Sequence, residues 1–362
     1  MRVLLPRKQL SDALGHVERI IPSRSSNPSL SLLQIDLDHK AMTLSGSNLD
    51  IDIEAHVAAD VEGKGQYALP AHVFGQVVRA LPGELVELNF NDTELGISSG
   101  TYATKLQLAN TGSSTPLEFS KEYLGTLEAQ VLSLALNHVR YAAAIAEYQA
   151  IFRGVKLELD DKKTRAIATD GFRLAYYNFP VASGLKADLV IPSRSVDEMV
   201  KLLGDGEVKL ALETGQLSFA NGPFRVNVKL MEGNFPDYGR VIPSVFPISI
   251  TLNAQALAQA VSRVALMADK SANNRVDMFI KDGHMQITAE GSYGRSQEAL
   301  EVQQEGKESE MALAYNAKYL IDALAPASGD IQLRLSGTTS PSVISSLADA
   351  NYLAMVVPLR TG

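Results

Sequence analysis

Three successive stretches of this chain carry the same order of local patterns, and a tripled pattern of this size implies a domain repeated three times. The period is near 122 residues, far longer than the roughly 20–50 residues of a solenoid unit. Ser99-Gly100 and Asn221-Gly222 give matching hairpin signals 122 positions apart. A first helix is predicted in each copy: on Leu10, Ala13, Leu14 and Val17; on Val139, Ala142, Ala143 and Ala146; and on Leu257, Ala260, Val261 and Val264. A second helix recurs on Phe74, Val77, Val78 and Leu81, on Val196, Met199, Val200 and Leu203, and on Leu320, Ala323, Leu324 and Ala327. Every set has the i, i+3, i+4, i+7 spacing that lines one helix face. Pro70, Pro192 and Asn316 stand four residues ahead of the second sets, where proline suits a helix start and asparagine a cap.

Alternating strands follow each second helix, at Val86, Leu88 and Phe90, at Val208, Leu210 and Leu212, and at Ile331, Leu333 and Leu335. The expected class is therefore α+β: three similar domains, each with two helices packed on antiparallel sheet, joined head to tail. Boundaries are expected at 1–125, 126–247 and 248–362, after the polar stretch from Asn110 to Thr115 and the run from Pro236 to Pro247. A head-to-tail interface either closes into a ring or runs on as a filament.

The formal net charge of −8 argues against a surface that grips a polyanion tightly. The charge is not evenly spread. Helices taken as 7–20, 71–81, 138–149, 193–203, 254–267 and 316–325 hold nine Lys or Arg against six Asp or Glu. The excess of acid lies elsewhere, which fits helices facing a polyanion and sheets facing solvent. A closed ring would retain a threaded polyanion by topology, so weak contacts to its charges would suffice.

Enzymatic chemistry finds little support. There is no cysteine for a nucleophile, a disulfide or a metal thiolate. No glycine-rich phosphate loop, zinc-binding His pair or nucleophile elbow is present. His16, His39, His56, His72, His138 and His284 are scattered, so neither metal nor cofactor is expected. Asp36, Asp38, Asp50 and Asp52 alternate as the solvent face of strands, and Thr169-Asp170-Gly171 reads as a turn. The apolar start MRVLLPRK is broken too soon for a signal-peptide core, and no stretch approaches a membrane span of ~20 apolar residues.

Three motifs carry a family resemblance: Ala168-Thr169-Asp170-Gly171-Phe172-Arg173-Leu174-Ala175; Asn234-Phe235-Pro236-Asp237-Tyr238 with Arg240-Val241; and the tail Val356-Val357-Pro358-Leu359-Arg360. With them the chain resembles the bacterial β sliding clamp, the β subunit of DNA polymerase III, over essentially its whole length. It departs by Phe172 where the family usually has histidine, by Phe152 where a leucine is usual and by a small length change near Lys270, and the family usually ends within a residue of the position of Thr361. The resemblance implies a non-catalytic processivity factor, a homodimeric ring around double-stranded DNA loaded by an ATP-driven clamp loader. It implies a cytoplasmic, nucleoid-associated protein with no membrane partner.

It also implies a peptide pocket shared by the DNA polymerase III catalytic subunit, the clamp loader, other DNA polymerases, mismatch-repair proteins and ligase, through short clamp-binding motifs rich in Gln, Leu and Phe. By that resemblance the pocket comprises Phe152, Thr169, Gly171, Phe172, Arg173, Leu174, Pro236, Arg240, Val241, Asn316, Tyr319, Met355, Val357, Pro358, Leu359 and Arg360. Arg24 and Gln149 are the implied DNA contacts. Arg79, Arg140, Arg194 and Arg263 join them from helix position. Leu106 on one side, and Leu266 with Met267 on the other, are the implied dimer contacts.

Overall fold

The computed structural model describes residues 1–109, 117–145, 150–160, 164–179 and 181–360. The chain divides into two compact units. The first comprises Met1–Leu132 with Asp197–Leu230, and the second Ser133–Val196 with Met231–Gly362.

Six α-helices lie among the described residues: α1 Arg7–Ile20, α2 Ala71–Ala80, α3 Ala129–Val139, α4 Ser193–Leu202, α5 Ala254–Val264 and α6 Ala317–Leu324. The predicted faces of α1, α2, α4, α5 and α6 are inward-facing. Proline precedes α2 and α4 as expected, and Asn316 caps α6 by accepting from the Lys318 N–H at 3.0 Å. Asn253 caps α5 in the same way, from Gln255 and Ala256 at 3.1 Å each.

The helix expected at 138–149 is misplaced. α3 ends at Val139, and Arg140–Ala142 is a 3₁₀ turn. Its buried face is Leu132, Ala135, Leu136 and Val139, each 122 residues after its counterpart in α1. The face repeats every seven residues, so Val139 can begin a false set as well as end the true one. Ala146, with Glu147 and Gln149, lies outside the described residues, as does the stretch Asn110–Thr115. The observed helices hold eight Lys or Arg and five Asp or Glu, none of either on α3, so the acidic excess still sits elsewhere. The other misjudged position is Leu212, exposed where the strand Glu207–Glu213 loses its alternation and Ala211 turns inward instead.

In the first unit α1 packs on α2. An eight-stranded antiparallel sheet runs Gly125–Glu128, Glu207–Glu213, Gln216–Asn221, Phe224–Lys229, Ile51–Ala58, Ala41–Ser47, Leu32–Asp38, Gly65–Pro70. It joins the first and second copies of the repeat where Ile51–Ala58 pairs with Phe224–Lys229, Ile51 opposite Val228. A five-stranded sheet in this unit ends on the edge strand Tyr102–Gln107.

In the second unit α5 packs on α6. A nine-stranded sheet joins the second and third copies by the same device: Arg173–Phe179 pairs with Tyr352–Val356, Arg173 opposite Val356. A four-stranded sheet ends on the edge strand Gly294–Glu301. The joints match in detail. His16 packs edge-on against Phe224 at 4.9 Å, and His138, 122 residues later, edge-on against Tyr352 at 5.5 Å. Among the described residues no helix is long and apolar enough to cross a membrane.

Candidate functional site

The motif 168–175 forms a tight turn leading into the strand Arg173–Phe179. Asp170 shapes it: Oδ1 accepts the N–H of Phe172 at 2.9 Å and of Arg173 at 3.0 Å. The Thr169 hydroxyl donates to the Arg173 carbonyl at 2.7 Å and accepts the Gly171 N–H at 3.1 Å. Gly171 takes φ +88°, a left-handed conformation that glycine adopts without steric cost. The Phe172 carbonyl accepts the Val357 N–H at 2.9 Å, so its backbone is fixed while the residue as a whole is 61% exposed.

Arg173 is the charged centre of the site, yet it is only 4% exposed. Its Nε donates to Asp170 Oδ2 at 2.9 Å and its Nη1 to Asp322 Oδ2 on α6 at 2.5 Å. The guanidinium lies 4.5 Å from the Tyr319 ring centroid and 5.5 Å from that of Tyr141. Burial alone would push the guanidinium down, but Asp322 and Asp170 outweigh it and raise Arg173, which stays charged. Asp322 is bridged as well by Lys318 at 2.8 Å. Beneath them Tyr352 gives its only hydroxyl proton to the Ala323 carbonyl at 2.7 Å, so Tyr141 is the donor in the 2.8 Å bond between the two hydroxyls. Burial pushes both phenols up.

Around this centre lies apolar surface. Ile167, Leu174 and Met355 form a buried cluster, with Tyr176, Phe235, Tyr238 and Ile242 packed against it. Phe152 meets Phe235 edge-on at 6.4 Å and would touch a Cβ at Gly171 at 3.8 Å. Tyr238 is held by Arg165, which donates to its hydroxyl at 2.6 Å, and the hydroxyl donates to Glu158 at 2.9 Å. Pro236 is exposed and Val241 is half exposed, while Arg240 pairs with Asp237 at 2.7 Å on the surface. The tail is fastened by main-chain bonds, Val357 to Phe172 and the Leu359 N–H to the Ala314 carbonyl at 2.7 Å. Pro358 between them is buried, and Arg360 is exposed.

All sixteen residues expected to line the pocket therefore lie in the second unit. They do not play one part. Phe172, Pro236, Val241 and Arg360 present exposed side chains; Leu174 and Met355 are core; Thr169 and Asn316 form the turn and the cap; Arg173 is buried. Asp170 is expected from the sequence only as part of a turn, and Asp322 and Tyr141 are not expected at the site, although the bonds of all three organise it. Asp322 carries no local signal, because it meets Arg173 across 149 residues of chain.

The same turn is built in the first unit at Ser47–Ile51, 122 residues earlier. Asn48 Oδ1 accepts the N–H of Asp50 at 3.0 Å and of Ile51 at 2.9 Å. Ser47 Oγ accepts the Leu49 N–H at 3.1 Å, and the Asp50 carbonyl accepts the Lys229 N–H at 2.9 Å. Leu49 takes φ +76° where Gly171 takes +88°. Ile51, buried, stands in the place of Arg173. Glu198 on α4, the counterpart of Asp322, is met by Arg19 at 3.8 Å and by Lys201 at 2.7 Å.

The cationic candidates differ in availability. Arg24 and Arg194 are exposed. Arg140 lies in the 3₁₀ turn after α3 and is already engaged. Arg263 makes a two-pronged pair with Glu298 at 2.6 and 2.9 Å. Arg79 pairs with the buried Glu18 at 2.6 Å, and His72 adds a 3.1 Å bond to the same carboxylate. Burial pushes the Glu18 carboxyl up, but the bonds from Arg79 and His72 outweigh it and hold Glu18 below the usual carboxylate range. A Cβ at Gly75 would sit 2.1 Å from Glu18 Oε2, so a larger residue there has to displace the carboxylate that Arg79 and His72 hold. Leu106 is half-buried on the edge strand Tyr102–Gln107, and Leu266, 75% exposed, lies with Met267 in a 3₁₀ turn after α5. Among the described residues no group of three or more His, Cys, Asp or Glu is placed to hold a metal ion.

Three family models match in sequence: the N-terminal domain of the DNA polymerase III beta subunit over 1–113, the central domain over 126–237 and the C-terminal domain over 239–360. The beta sliding clamp of Synechococcus elongatus is 29% identical, with 99% of each chain covered. That of Caulobacter vibrioides is also 29% identical, over 99% of this chain and all of the relative. The solved DNA polymerase III beta chain of Streptococcus pneumoniae matches with a TM-score of 0.94 at 26% identity, over 99% of this chain and 100% of that one. With all three domains matched in order, this chain belongs to the DNA polymerase III beta subunit family.

Proposed function

We infer that this chain is a replicative sliding clamp, a non-catalytic factor that encircles duplex DNA and tethers DNA polymerase III to it. The end-to-end match of three beta-subunit domains carries this reading. Two chains close the ring, with the boundaries between copies near residues 125 and 247. The edge strand Tyr102–Gln107 of one chain meets the Gly294–Glu301 edge of its partner, with Leu106 against Leu266 and Met267. Each edge leaves backbone N–H and C=O groups to be satisfied by another strand, and Leu266 is apolar surface otherwise left in water.

DNA is held loosely, by phosphate contacts from Arg24, Arg194, Arg140 and Gln149. Arg263 joins them by exchanging Glu298 for a phosphate, since an exposed ion pair contributes only about 0–1 kcal/mol. Arg79 contributes least, because leaving would strand the buried Glu18 charge. The surface around the turn 169–173 and the tail 357–360 docks short peptides of the polymerase catalytic subunit, the loader, other polymerases, mismatch-repair proteins and ligase. Phe172 and Val241 offer apolar surface to a Leu-Phe pair, and each anchor buried contributes about 1.5–3 kcal/mol before ordering costs. This work belongs in the cytoplasm, at the nucleoid.

Retention on DNA tests the reading. Loaded protein stays on a nicked circle in moderate salt and is lost when the circle is linearised. Equal retention on both forms defeats it.

A further inference from the structure

We propose that Arg173 is a positioning residue of the docking surface: it ties the turn 169–173 to α6, and so sets where Tyr319 stands, without touching the docked peptide. This rests on the reading of that surface as a peptide site. The side chain is 5% exposed and is closed in by two carboxylates and two tyrosine rings. A peptide on the surface reaches Phe172 and Tyr319 before it reaches this guanidinium.

The turn does not need Arg173 to fold. Ser47–Ile51 makes the three bonds that its backbone N–H groups give to Ser47 and Asn48 side chains, matching those to Thr169 and Asp170, with isoleucine in that place. Nor does stability explain a buried ion pair, because a well-packed apolar residue is commonly as stable. What arginine does, and isoleucine does not, is reach two carboxylates on two elements and lay a flat cation on a ring. One carboxylate belongs to the turn that carries Phe172. The other belongs to α6, one helical turn from Tyr319. The brace therefore holds Phe172 and Tyr319 in one fixed arrangement, although they are 147 residues apart in the chain.

The test is a double-mutant cycle on the full chain, read by anisotropy of a short fluorescein-labelled peptide carrying a Gln and a Leu-Phe pair. Arg173→Lys keeps the charge and loses the fork and the flat face, and the peptide binds about tenfold more weakly. In a Tyr319→Ala background the same change costs less than about twofold, because the group it positions is gone. Asp322→Asn is the milder second probe, should Arg173→Lys fold poorly, and shows the same dependence on Tyr319. Equal losses in both backgrounds, or no loss from either variant, overturn the proposal while leaving the docking surface intact. Failure of the unmodified chain to bind the peptide overturns the docking reading and the proposal with it.

Discussion

The turns Ser47–Ile51 and Thr169–Arg173 share one backbone and carry different chemistry. Each is drawn together by an Asx residue, Asn48 or Asp170, that accepts two N–H groups. Each gives a carbonyl to the next copy of the repeat, to Lys229 or to Val357. Three positions then diverge: Leu49 against Gly171, Asp50 against Phe172, and Ile51 against Arg173. Because backbone bonds and the side chains of the first two turn residues hold the shape, the remaining side chains are free to serve something else. In the first unit they yield a solvated acid over an apolar core. In the second they yield an exposed phenyl ring and a buried cation braced to a helix.

Four measurements press on this contrast. Removing the tail after Val356 takes away both main-chain fastenings, and peptide affinity falls about a thousandfold, equivalent to about 4 kcal/mol, by anisotropy. The strands keep their far-ultraviolet circular dichroism. Unchanged affinity would mean the second turn is as idle as the first.

Asp170→Ala removes the Asx acceptor and half of the Arg173 clamp together, and lowers unfolding free energy in urea by about 3–4 kcal/mol. Asn48→Ala loses only neutral bonds, at about 1–2 kcal/mol. Equal losses would erase the distinction between the two turns.

Exchanging the left-handed residues separates strain from chemistry. Gly171→Leu destabilises by about 1–2 kcal/mol, since a side chain at φ +88° crowds the carbonyl that follows. Leu49→Gly relieves the same crowding at φ +76° and gives up little burial, because Leu49 is 67% exposed. After the added freedom of the unfolded chain is discounted, about 0.5–1 kcal/mol of stabilisation remains.

The smallest effect concerns the carboxylate that the first unit buries, Glu18. Its folded pKa lies below its unfolded value, so its contribution is complete above an unfolded pKa of about 4.3 and is lost as pH falls through the folded one. Arg79→Gln removes a main cause of the lowering, and the dependence of urea stability on pH between about 3 and 5 becomes flatter. An unchanged slope would assign the lowering to His72 alone.

Much of this was legible in the sequence, for identifiable reasons. The hairpins at Gly100 and Gly222 announce themselves because both glycines take positive φ, +59° and +55°. Two of the three strands after the second helices follow period two throughout, and Asn316 caps where a cap was due. α3 was displaced because neither proline nor glycine marks its end, and its seven-residue periodicity fits two windows equally. In the site, the motif around Thr169 reads as a turn from composition alone. That Arg173 points inward cannot be read so, because arginine is ordinarily a surface residue and its partner Asp322 comes from another domain. The offset between copies did hold a clue: Glu198 and Asp322 occupy matching helix positions, while isoleucine and arginine face each other across the repeat.

Pro358 carries one last consequence. Its neighbours Val357 and Leu359 each spend an amide proton on a carbonyl, and the buried residue between them has none to spend. If the C-terminal segment slid by a single residue, the imino nitrogen would come to rest opposite a carbonyl that needs a donor, and a buried acceptor would go unanswered. The register of the tail is thus locked by a missing hydrogen, with no demand on the identity of the side chains to either side.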